Sequence, residues 1–198
     1  MKEITITVPD GKKAEWVNGV LTLIDEEVKD KRPVMERIKS FEDAMAVLGE
    51  SHPLVIQYKE NYDNFLENGG DGVKDIVAYL KLRIIVAALN EGWEPQFTED
   101  EDRWYPWFVL YSADELAEKS DEWKAARVIV PLDNYRVVGR SSHDAGAGGG
   151  LVCANADGAS SSSNTGGGSR LAFKTEALAN YAARQFADLW ADFYLIRK

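Results

Sequence analysis

Apolar residues recur at every second position at the start of the chain. Ile4, Ile6 and Val8 alternate with Thr5 and Thr7 ahead of the turn residues Pro9-Asp10-Gly11, which predicts a half-buried strand. Glu15-Trp16-Val17 and Val20 to Ile24 then flank Asn18-Gly19, a dipeptide suited to the positive φ angles of a type I′ hairpin turn. Beyond Pro33 the period lengthens to that of a helix. Ser40 and Asp43 make an N-cap pair for a helix with Phe41, Ala44, Met45 and Leu48 on one face, and Gly49 offers a left-handed stop. A second helix is expected from Pro53 to Leu66. From about Val73 to Asn90, Ile76, Val77, Leu80, Ile84, Ala87 and Ala88 share one side. Leu82, Ile85, Val86 and Leu89 widen that stripe, so this helix should be central and nearly buried, ending at Gly92.

The second half returns to strand chemistry. Arg103 to Tyr111 (RWYPWFVLY) is rich in strand-favouring aromatics, and Ser112 with Glu115 forms a capping box for a short helix to about Lys119. Ala126 to Val130, Tyr135 to Gly139 and Leu171 to Phe173 read as short strands. Thr175 caps a closing helix whose apolar face is Leu178, Ala182, Phe186, Leu189 and Phe193, widened by Tyr181 and Trp190. Between them, residues 141–169 hold half of the sixteen Gly and few groups able to pack. That composition favours a disordered linker, although Gly150 to Ala154 embeds a short apolar run that reads as a strand between two loops. The expected class is α+β: an N-terminal β-hairpin, a helical middle, short antiparallel strands and a C-terminal amphipathic helix. Two regions, 1–92 and 93–198, are expected, either separate or joined in one compact unit.

Composition narrows the functions available. With 198 residues, 45% hydrophobic and six Trp, the chain can build a core without disulfide or metal. A formal net charge of −10, with Lys and Arg scattered, disfavours nucleic acid as a partner. The longest apolar run, Ile84 to Leu89, is far too short to cross a bilayer, and the N-terminus lacks the apolar stretch of a secretory signal. Synthesis in the cytoplasm is expected, with the final address, cytoplasm or phage particle, left open.

Candidate chemistry is sparse. Ser142-His143-Asp144 has the letters of a catalytic triad, but adjacent side chains diverge where a triad needs groups brought together by the fold. The glycines Gly146, Gly148, Gly149 and Gly150 lack dinucleotide-binding spacing, so no cofactor is expected. Glu99-Asp100-Glu101-Asp102 lacks the alternation and central glycine of a calcium loop, and one Cys with two His far apart is no zinc set. Trp104, Tyr105, Trp107, Phe108 and Tyr111 could stack on a sugar ring, but alternation more often puts one aromatic face into the core. No catalytic or metal residue is assigned.

The motifs WYPWF (Trp104 to Phe108), NEGWEP (Asn90 to Pro95), GSRLAFKTEALANYAARQF (Gly168 to Phe186) and EWVNGVLTL together resemble a family of uncharacterised proteins of gut Bacteroides and their phages or prophages. The resemblance spans most of the chain and implies no catalytic residue. It implies that the stretch before the GSRL motif, here Ser141 to Gly167, varies widely between members, as it would in a scaffold that displays an exchangeable surface or in a loop that drifts freely. On the display reading the contact residues are His143, Asp144, Asn155, Asp157, Ser161, Ser163 and Asn164, and the partner is a protein or the phage particle itself. The competing readings are an intracellular accessory protein working through protein contacts, and a hydrolase whose site assembles only in three dimensions.

Overall fold

Asn18 and Gly19 both take positive φ, 51° and 80°, the left-handed pair that a type I′ turn requires. The flanking strands β1 (Lys12–Val17) and β2 (Val20–Asp25) close on that turn as an antiparallel hairpin, with Val17 opposite Val20. The structure is a computed structural model and describes residues 6–25, 30–68, 70–96, 101–127, 129–131, 135–136, 150–160 and 169–197. Met1–Pro33 forms one compact unit and Val34–Lys198 a second. Of the strand expected over Ile4 to Val8, Ile6, Thr7 and Val8 form no ladder, and Ile4 and Thr5 lie outside the described residues. An alternating pattern becomes a strand only beside an edge that it pairs with, and the described ladder of this unit pairs β1 with β2 alone.

In the second unit, α1 (Val34–Arg37) leads into α2 (Phe41–Leu48), whose start is built as expected. The Ser40 hydroxyl accepts from the Asp43 N–H at 3.1 Å, and the Asp43 carboxylate accepts from the Lys39 and Ser40 N–H groups, each at 2.9 Å. The Lys39 amide first, then the Ser40 groups, hold the Asp43 carboxyl below its ordinary value of 3.8. A depressed folded-state pKa contributes stability that is complete above the unfolded value and fades as pH falls through the folded one. Asp43→Asn is therefore expected to destabilise near neutral pH and to lose that penalty progressively as pH falls through the folded-state value, below 3.8, read from denaturant melts across that acid range.

Next come α3 (Pro53–Asn68) and α4 (Lys74–Asn90). The broad apolar stripe does make α4 the centre of the core, with Leu82, Ile84, Ile85 and Leu89 fully buried. Glu91, left-handed at φ 51°, closes it one residue before Gly92 at φ 84°. The short helices α5 (Ala113–Ala117) and α6 (Asp121–Ala125) follow, the first on the Ser112/Glu115 capping box, the second on a Ser120 cap that the apolar pattern did not announce. At the C-terminus the single expected helix is two, α7 (Glu176–Gln185) and α8 (Ala187–Tyr194). Phe186 leaves helical geometry, φ −118° and ψ 33°, to bury its ring, and the Trp190 indole donates across the break to the Ala182 carbonyl at 3.2 Å.

Residues on both sides of position 92 share one core. Phe41 and Leu82 pack in the same cluster as Phe173, Leu178 and Trp190. The Tyr181 hydroxyl also donates to the Ile38 carbonyl at 2.5 Å. Three small sheets complete the chain: the hairpin; a sheet ordered β3 (Asp102–Tyr111), β6 (Gly150–Ser160), β4 (Ile129–Pro131); and the pair β5 (Tyr135–Arg136) with β7 (Ile196–Arg197). The strand expected at Leu171 to Phe173 is a 3-10 turn, Ser169–Leu171, followed by a single bridge from Phe173 to Trp104. Within the Gly/Ser-rich segment the linker reading fails over residues 150–160, which form the central strand of the three-stranded sheet.

Candidate functional site

The parity of β3 follows from one bridge. Trp104 exchanges both backbone hydrogen bonds with Phe173, at 3.0 and 2.9 Å, so its polar backbone groups face away from β6. Pro106, two residues on, faces the same edge, where its missing N–H breaks no bond to β6. Trp104 and Phe108 pack on the main core, and Phe108 with Leu110 covers the smaller cluster of Val130, Ala187 and Ala191. The alternate residues Arg103, Tyr105, Trp107 and Tyr111 line the opposite face, since side chains two apart share a side. Trp107 is 54% exposed there, whereas Arg103 is 1% exposed at the end of the same row. Burial pushes the Tyr105 phenol above its ordinary value, against the opposing pull of Arg103.

Strand β6 runs antiparallel to β3 along its whole length. Asp157 stands across from Tyr105, and Asn155 across from Trp107. The register then shifts, pairing Phe108 with Cys153 and leaving Ala154 as a bulge. In the register Gly158 and Ala156 stand across from Trp104 and Pro106. Helix α7, whose buried residues are Leu178, Ala179, Ala182 and Ala183, packs against both β3 and β6.

Beyond Trp107 the face ends in an aromatic corner. Tyr111 meets Trp123 edge-on with ring centroids 5.4 Å apart, Arg127 lies 4.2 Å over the Trp123 ring, and Lys119 sits within 5.6 Å of Trp123. These four residues were not singled out as a group in sequence, because the fold brings them together from β3, α6 and the turns beside it. Of the seven candidate contact residues, Asn155 and Asp157 are described as ladder partners of Trp107 and Tyr105. His143, Asp144, Ser161, Ser163 and Asn164 lie outside the described residues.

The other motifs resolve into structural roles. Glu101 accepts from the Trp93 indole at 2.9 Å and from the Gln96 N–H at 2.6 Å, clamping the turn before β3, while Glu99 and Asp100 lie outside the described residues. The His52 ring accepts from the Leu54 N–H at 3.2 Å at the start of α3. Among the described residues no group of three or more His, Cys, Asp or Glu is placed to hold a metal ion, and no helix is long and apolar enough to cross a membrane. The β3 strand leaves one indole open, that of Trp107, between the partly buried Tyr105 and Tyr111. The fold defines an α+β protein. No family model, curated protein or solved structure matches the chain.

Proposed function

We propose that this is a non-enzymatic binding protein of a Bacteroides phage or prophage setting, whose α+β scaffold presents the β3–β6 ribbon and the segment around it to a partner. The observation that carries this reading is the pairing of Gly150–Ser160 with β3 from end to end. Ladder bonds are made by the backbone, so residues on the outer side of β6 can be exchanged without disturbing the pairing or the core below it. The resemblance to the Bacteroides family, with its variable stretch before the GSRL motif, supports the same division between fixed scaffold and exchangeable surface.

The test is binding of the fluorescently labelled full chain to a panel of intact Bacteroides strains, read by flow cytometry. Saturable binding to at least one strain is expected. The double substitution Asn155→Ala, Asp157→Ala should weaken it at least tenfold (about 1.4 kcal/mol) while leaving the melting temperature unchanged. Absence of saturable binding across the panel would overturn the display reading in favour of an accessory protein acting inside the cell.

A further inference from the structure

We infer that the β1–β2 hairpin is a self-association element, whose β2 edge pairs antiparallel with the β2 edge of a second copy of this chain. Among the described residues of the N-terminal unit, two strands alone form the sheet. A lone hairpin is marginal in water, whereas three or more strands around an apolar face are stable. The hairpin leaves an apolar surface open: Trp16 is 70% exposed and Val20 65%, with Val17 and Leu23 exposed as well. Its two edges differ in kind. Strand β1 carries Lys12, Lys13 and Glu15, charges of the sort that keep an edge from pairing, while β2 reads Val20-Leu21-Thr22-Leu23-Ile24, with neither charge nor proline before Asp25.

The turn fixes which backbone groups that edge offers. Val17 and Val20 flank the two-residue turn and so bond to each other, as do Glu15 and Thr22, which leaves the N–H and C=O groups of Leu21 and Leu23 directed outward. A two-fold axis at Thr22 then sets Leu21 across from Leu23 of the second copy as a hydrogen-bonded pair, and Thr22 across from its own counterpart. Trp16 stands beside Leu21, and Ala14 beside Leu23, so the four-stranded sheet carries two rows of four apolar residues on one face. Charge does not oppose the pairing. Residues 1–33 carry six Lys or Arg against seven Asp or Glu, a net −1, so nearly all of the −10 of the chain belongs to the other unit. A near-neutral unit with a self-complementary aliphatic edge fits its own copy better than it fits a charged partner.

Sedimentation velocity of the full chain over a concentration series tests the pairing. A reversible shift from the 22.1 kDa chain mass to twice that value is expected. Leu23→Lys keeps the hairpin's own ladder and charges the β2 edge, and should raise the dimer dissociation constant at least about tenfold with unchanged far-ultraviolet circular dichroism. Cysteine substitution reads the register. With Cys153→Ala as background, Thr22→Cys should form a disulfide-linked dimer at least about tenfold faster than Val20→Cys, because Thr22 meets its own counterpart whereas Val20 meets Ile24. A chain that stays monomeric at its highest soluble concentration would overturn the inference. So would a dimer that Leu23→Lys leaves intact, or one that links Val20→Cys as fast as Thr22→Cys.

Discussion

Trp190→Ala is expected to lower the melting temperature by about 6–20 °C, the equivalent of about 3–5 kcal/mol for a deleted core Trp in a chain of this size. Trp190 is 1% exposed and is the largest fully buried side chain among the described residues. Its ring stacks on Tyr194 with centroids 5.9 Å apart, meets Phe193 edge-on at 6.4 Å and lies 5.8 Å from Phe108 on β3. It therefore joins α8 to the sheet while its indole N–H closes the break between α7 and α8. Net stabilities are about 5–15 kcal/mol, so this one change removes a large share. Trp190→Phe keeps a ring in the site and loses the donor, and should cost about 1–2 kcal/mol. Thermal unfolding followed by circular dichroism separates the two variants, and equal melting temperatures for Trp190→Ala and wild type would refute the role.

Asn90→Ala should cost about 2–4 kcal/mol, the second-largest effect, because it strands a buried carbonyl and a half-buried N–H at once. Asn90, 3% exposed at the end of α4, donates to the Ala172 carbonyl at 2.8 Å and accepts from the Lys174 N–H at 3.1 Å. Those bonds pin the segment that places Phe173 against Trp104, which in turn sets which edge of β3 faces β6. Lys174→Met, by contrast, removes a partly exposed ammonium near the Asn90 carbonyl and Glu91, and should cost about 1 kcal/mol or less. Urea denaturation of the two variants would refute the account if their order were reversed.

Local chemistry carried most of the scaffold in advance. Asn18-Gly19, the Ser40/Asp43 and Ser112/Glu115 boxes and the stripe along α4 each act within a few residues, so their signals are visible without the fold. The failures were long-range. The helix break at Phe186 depends on what its ring and Trp190 meet in the core, and nothing in the apolar spacing interrupts there. The apolar run within Gly150 to Ala154 marked the start of β6, but Asn155 to Ser160 reads as linker because its small and polar residues carry no hydrophobic signal, and only the pairing with β3 extends the strand to Ser160. The aromatic run of β3 was legible as a strand, but which rings are buried was decided by the Phe173 bridge. That is why Trp107, not Trp104 or Phe108, faces outward. Five of the seven candidate contact residues sit outside the described structure, and Asn155 and Asp157 are placed only by their backbone pairing with Trp107 and Tyr105.

Amide hydrogen exchange of the isolated full chain, resolved over residues 150–160, tests the central claim most directly. Because Trp104 faces Phe173, the residues Arg103, Tyr105 and Trp107 direct their backbone groups to β6, and their partners Ala159, Asp157 and Asn155 should exchange at least about a hundredfold more slowly than an unstructured chain. Exchange of all three at the unprotected rate at the earliest time would contradict the ladder and, with it, the pre-formed recognition face.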